Sequence, residues 1–146
     1  MHYIIESIIV GLYCVIIYFF INMWISNTFI NAFFINAFFI TAFFITGFLK
    51  HFLAYYLGLH SWYCNNGYRC KIINNSDTNA KLNENKYIFI ESIGEGILFL
   101  LVAMILNNVI TNKYLIIFLI GFILHMIFEL IGIHKYFCLV SCNSKI

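Results

Sequence analysis

"GFLKHFLAYYLGLHSWYC", Gly47–Cys64, reads as a membrane span until its polar residues are noticed: a lysine, two histidines and a closing cysteine. A second stretch, "GFILHMIFELIGIHKYFC", Gly121–Cys138, aligns with it without a gap. Gly47/Gly121, Phe48/Phe122, His51/His125, Gly58/Gly132, His60/His134 and Cys64/Cys138 coincide. Most other positions exchange one apolar residue for another. Shared hydrophobicity alone does not reproduce glycine, histidine and cysteine in register, so the two stretches read as copies of one unit.

The helix before each copy agrees. "ESIIVGL", Glu6–Leu12, faces "ESIGEGI", Glu91–Ile97, at an offset of 85, whereas the second pair is offset by 74. The excess of 11 residues in the first half falls on "INAFFINAFFITAFFITGF", where a five-residue unit recurs. Replication slippage explains such a low-complexity run. A period of five fits neither a helix face nor a strand face. The chain therefore divides into residues 1–64, a first two-span repeat with its insertion at about 29–46; residues 65–86, a polar loop; and residues 87–146, a second two-span repeat.

Composition points the same way. Of 146 residues, 63% are hydrophobic and 10% charged, with no proline, and the mean hydropathy is +0.92. A soluble domain of this size needs more polar surface. A bilayer core about 30 Å thick takes about 20 apolar residues per helix. Tyr3–Trp24, a block within Phe29–Tyr63, Tyr87–Leu106 and Tyr114–Tyr136 meet that length. The expected fold is all-α, a four-span transmembrane helix bundle made of two tandem two-helix repeats, because helices satisfy their own backbone in lipid. Two spans per unit return the chain to its starting side, so the repeats should be parallel. The repeat sets the second span at Thr41–Trp62 and leaves Phe29–Ile40 as an interfacial or tilted extension. Tyr3–Trp24 has no basic region before it and no small-residue cleavage site after it, and is expected to be retained. A net charge of +2 without a basic stripe argues against a nucleic-acid partner. The lipid bilayer is the expected partner, with a second copy or other membrane proteins beside it.

Lysine and arginine outside the spans set orientation. Arg69, Lys71, Lys81, Lys86, Lys135 and Lys145 lie with both termini and the middle loop, and Lys113 lies opposite. Six against one puts the termini and that loop in the cytoplasm. Cys64/Cys70 and Cys138/Cys142 look like pairs, yet a reducing cytoplasm argues against disulfides. Asn74-Asn75-Ser76 is a glycosylation acceptor only if the loop is lumenal. Cys14 reads as a small apolar filler.

The ionisable residues inside spans need partners, since each costs at least ~2.5–3.5 kcal/mol at the bilayer centre. The repeat places His51 and His125 near mid-depth. Lys50 adjoins the first; Glu129 shares a face with His125; Glu91 and Glu95 share a face of the third span. Lys50 is expected to meet Glu95 or Glu129 in the interior. Interhelical adhesion is the simplest role for such groups, aided by glycines that let helices approach. A proton or ion path would use the same residues but would be narrow without oligomerisation. Two cofactors fit the residue types. His51 and His125 at matched depth could ligate haem b. His60, Cys64 and Cys70, with His134, Cys138 and Cys142, offer zinc ligands, although the spacings match no established finger. His51 and His60, nine residues apart, would point about 180° away from each other on one helix.

Isoleucine and asparagine abundance, multi-pass layout and one hydrophilic segment, "NNSDTNAKLNENK", resemble the small uncharacterised multi-pass membrane proteins of large AT-rich DNA viruses. The resemblance implies a viral or host membrane setting. Four spans with two cysteine pairs on one side also look similar in outline to quinone-linked disulfide-forming membrane enzymes. Their reactive Cys-x-x-Cys is missing here. No Ser-His-Asp, HExxH or P-loop pattern occurs. The chain is expected to be a structural or assembly component of a membrane without catalysis, the contrasting reading being a haem- or metal-binding redox protein or thiol oxidoreductase.

Overall fold

The computed structural model describes residues 2–26, 34–68, 70, 81–82, 88–140 and 142–143. Asn74-Asn75-Ser76, most of the middle loop, Arg69, Lys71, Lys86 and Lys145 lie outside them, as do residues 27–33 of the low-complexity run. Six helices are described: α1 His2–Ser26, α2 Phe34–Tyr56, α3 Leu59–Asn66, α4 Ile88–Leu106, α5 Lys113–Ile131 and α6 Ile133–Val140. A two-residue antiparallel ladder pairs Lys81–Leu82 with Cys142–Asn143.

Among the described residues, three helices are long and apolar enough to cross a membrane: Tyr3–Trp24 of α1, Ile88–Leu106 and Lys113–Ile131. A fourth span is obtained if Thr41–Tyr56 and Leu59–Asn66, bent by 73°, count as one. Apolar residues surround each long helix. In α1 one stripe, Ser7, Cys14, Ile17, Tyr18 and Ile21, is buried, while Ile5, Ile9, Leu12, Ile16 and Phe20 are exposed on the other side. A helix apolar all round suits a protein core or a membrane span. Exposed Trp24 stands at one end of the bundle, and exposed Tyr56, Trp62 and Tyr136 at the other, as aromatic belts at two interfaces do.

The largest helix interfaces are α2 with α4 and α1 with α5. The two halves therefore interleave in one bundle. Glycines permit the close crossings. A methyl group at Gly47 would lie 2.7 Å from the Phe99 side chain, and one at Gly121 would lie 2.7 Å from Cys14 Sγ. The core between these helices contains Cys14, Tyr18, Phe43, Phe99, Ile116, Ile117 and Ile120. Asn112 starts α5, its side-chain oxygen accepting from the Tyr114 and Leu115 amides at 3.0 and 3.2 Å.

Two expectations about spans are corrected. Residues 34–40 are not a separate extension; they are the first turns of α2, whose 23 residues reach about 34 Å. The spans also do not run unbroken to Trp62 and Tyr136. Gly58 and Gly132 take φ of 74° and 87°, the left-handed region that ends a helix, and the chain turns there into α3 and α6. His51 and His125 consequently sit within two turns of the ends of α2 and α5, toward the short helices.

Candidate functional site

The bundle end where α1 and α4 begin and α2 and α5 finish holds nearly every ionisable side chain described in the helices. Lys50 of α2, partly buried, pairs with the buried Glu95 of α4, one of its two expected partners. The Lys50 ammonium also lies 5.8 Å from the centre of the Phe99 ring, within cation–π range. His51 Nε2 is 3.2 Å from Glu91 Oε2, and its Nδ1 is 3.2 Å from Glu95 Oε2. One lysine and one imidazole from α2 thus meet two carboxylates from α4.

A parallel set forms between α1 and α5. His125 Nε2 stands 4.0 Å from Glu6 Oε2, and Glu6 Oε1 accepts the Tyr68 amide at 2.8 Å. Glu129 Oε2 is 2.8 Å from His134 Nδ1 and accepts the Tyr63 hydroxyl at 3.5 Å. Glu129, at 1% exposure, is among the most enclosed charged groups in the chain, so these partners offset its desolvation.

The breaks at Gly58 and Gly132 fold one histidine back on another. His60 meets His51 with ring centroids 4.7 Å apart, and His134 meets His125 at 4.4 Å. The helical-wheel expectation that His51 and His60 diverge is therefore wrong, because they do not share one helix.

The cysteines pair across the halves. Cys64 is bonded to Cys142 and Cys70 to Cys138, with Cα separations of 5.4 and 5.2 Å. The expected local pairs, Cys64/Cys70 and Cys138/Cys142, are not the bonded ones. The reason is geometric: α3 and α6 lie over the same end of the bundle, and the ladder holds Cys142 against Lys81–Leu82 of the middle loop, which in turn packs on α3. Cys70 Sγ is also 3.8 Å from Cys142 Sγ, so the two disulfides touch. Tyr63 and Phe137 pack against this sulfur cluster. Cys14 is buried and free, as expected of a filler.

Among the described residues, the His, Cys, Asp and Glu side chains that converge within metal-binding distance are Cys70, Cys138 and Cys142. The expected mixed set is not assembled. His60 packs edge-on against Phe137 and His51, and His134 is engaged by Glu129.

No protein-family model, curated protein or solved structure matches this chain.

Sequence reasoning singled out Lys50, His51, Glu91, Glu95, His125 and Glu129, and all six lie in this one polar layer. It overlooked Glu6 and Tyr63. A signal for Glu6 was present, since "ESIIVGL" and "ESIGEGI" match Glu6 with Glu91, and Glu6 faces His125 as Glu91 faces His51. Tyr63 carried none, because its role depends on the turn at Gly58.

Chemically the layer can store and share protons locally. Among the described residues it does not extend through the bundle. Toward the 107–112 turn the described core is apolar, and the buried Thr46 hydroxyl is spent on the Ala42 carbonyl of its own helix at 2.7 Å.

Proposed function

We propose that this chain is an integral membrane protein acting as a structural or assembly component of a viral or cellular membrane. The single observation that carries the reading is that, among the described residues, the interhelical ion pairs are confined to one end of a bundle with an apolar core. Charges so placed specify which helix packs on which, the best attested use of buried polar groups, and supply no route across lipid. The sulfur cluster, at most 2% exposed, tethers the same end and offers no accessible thiol pair for turnover.

The reading includes descent from one duplicated two-span unit. Several recurrences at the same offsets support it. Glu6–His125 recurs as Glu91–His51, and Cys64–Cys142 as Cys138–Cys70, although Cys70 and Cys142 are offset by 72 and not 74. Ser7 and Ser92 donate to the Tyr3 and Ile88 carbonyls. Gly11 crowds Phe118 as Gly96 crowds Phe44, each at 2.9 Å from an added methyl. The lysine and arginine asymmetry supports placing both termini and the middle loop in the cytoplasm.

The discriminating experiment reconstitutes the purified chain into vesicles loaded with a pH-sensitive dye. Vesicles as proton-tight as protein-free controls are expected. A flux that Glu95→Gln abolishes would replace the assembly role with transport.

A further inference from the structure

Three of the four cysteine sulfurs at the bundle end are closer to one another than two independent disulfides require. Cys64 lies in α3, Cys70 follows it, and Cys138 and Cys142 lie near the end of the chain, yet the four residues pack as one buried cluster, with Cys64 outside the converging three sulfurs and joined to them by its bond to Cys142. Cys70 Sγ and Cys142 Sγ, which are not bonded, stand 3.8 Å apart. The Cys70, Cys138 and Cys142 sulfurs all lie within 4.8 Å of one another. In tetrahedral zinc thiolate the Zn–S bonds are about 2.3 Å, which makes the S···S edge about 3.8 Å. Cys70 and Cys142 already stand at that edge length, and Cys64 reaches the group through its bond to Cys142.

We propose that Cys64, Cys70, Cys138 and Cys142, when reduced, form one tetrahedral site for Zn²⁺ that interconverts with the crossed disulfides. The ligand set is all sulfur. His60 and His134, the nearest imidazoles in sequence, are held in the polar layer by His51 and Glu129. The surroundings suit a closed structural site: each sulfur-bearing residue is at most 2% exposed, and Tyr63 and Phe137 pack against the cluster.

The redox step balances as follows. A dithiol or phosphine reductant supplies two electrons per disulfide, and two protons are taken up for each, giving four thiols. Zn²⁺ then binds the four thiolates and displaces those protons. Oxidation by a disulfide or peroxide withdraws four electrons from the thiolates, re-forms both bonds and releases Zn²⁺. The bundle end stays cross-linked in either state, through sulfur–sulfur bonds or through the metal. Such a device keeps α3 tied to α6 in reducing and oxidising compartments alike.

The test uses the full chain in detergent, reduced anaerobically with a phosphine and titrated with Co²⁺ and then Zn²⁺. One equivalent of Co²⁺ should bind with the intense absorption of a tetrahedral thiolate site, and Zn²⁺ should displace it. Bound zinc should protect all four cysteines from alkylation, leaving Cys14 the only position whose labelling does not change with metal. His60→Ala with His134→Ala should leave the stoichiometry at one, whereas Cys70→Ser with Cys142→Ser should abolish binding. Weak octahedral cobalt absorption, or loss of metal in the double histidine variant, overturns the all-sulfur site. As reduction could unfold the chain, zinc is also measured by elemental analysis on protein isolated anaerobically from a reducing, zinc-supplemented cell, with no refolding step. One zinc per chain is expected there, and background zinc overturns the proposal.

Discussion

The ring of His60 lies against that of His51, centroids 4.7 Å apart and planes inclined by 61°, although nine residues separate them. A continuous helix would put them on opposite sides. The left-handed turn at Gly58 brings them together, and the turn at Gly132 does the same for His134 and His125.

Gly58 has open space around it, so a methyl group there would strike nothing within 4 Å. Its cost is purely conformational. Gly58→Ala should destabilise the bundle by about 1–2 kcal/mol, the expense of an L-residue in the left-handed region. Gly94 in α4 is equally uncrowded but helical, and Gly94→Ala should stabilise by up to about 1 kcal/mol. Unfolding of both variants in detergent compares them directly, and equal shifts would reject the conformational account.

Partly buried Lys50 and buried Glu95 are partners on different helices. Lys50→Leu alone leaves a buried carboxylate without its cation and should cost about 3–5 kcal/mol. Combining it with Glu95→Met should cost less than the sum of the two single changes. Additive losses in the double-mutant cycle would show that the pair is not coupled.

Gly121 gives α5 its approach to α1, with Cys14 Sγ where a methyl would go. Gly121→Ala should destabilise by about 1–3 kcal/mol through overpacking. Adding Cys14→Ala removes the clashing sulfur and should restore part of the loss. Full restoration is not expected, since the Gly11 backbone stands 3.1 Å from the same methyl. No restoration at all would place the crossing elsewhere.

The cross-half pairing is checked by proteolysis without reductant followed by mass spectrometry. Linked peptides should join Cys64 to Cys142 and Cys70 to Cys138. In oxidised protein Cys142→Ser, which opens a link spanning 78 residues, should lower stability by about 2–5 kcal/mol. Peptides joining Cys64 to Cys70 would contradict the fold at this end.

The amino-acid sequence on its own determined the material of this protein: apolar helices of membrane length, and the requirement that Lys50, Glu95, His125 and Glu129 find partners inside. Those conclusions follow from transfer energies, which depend on residue type and run length and little on context. Only the tertiary structure decided which partners they find. The α2–α4 and α1–α5 crossings select Glu95 for Lys50 and Glu6 for His125. The turns at Gly58 and Gly132 end the spans early and fold the distal histidines back, and they set Cys64 beside Cys142. Hydrophobic pattern reports which residues avoid water. It carries no information about where a glycine will leave the helix, because that choice is made by the packing of α3 and α6 over the bundle end.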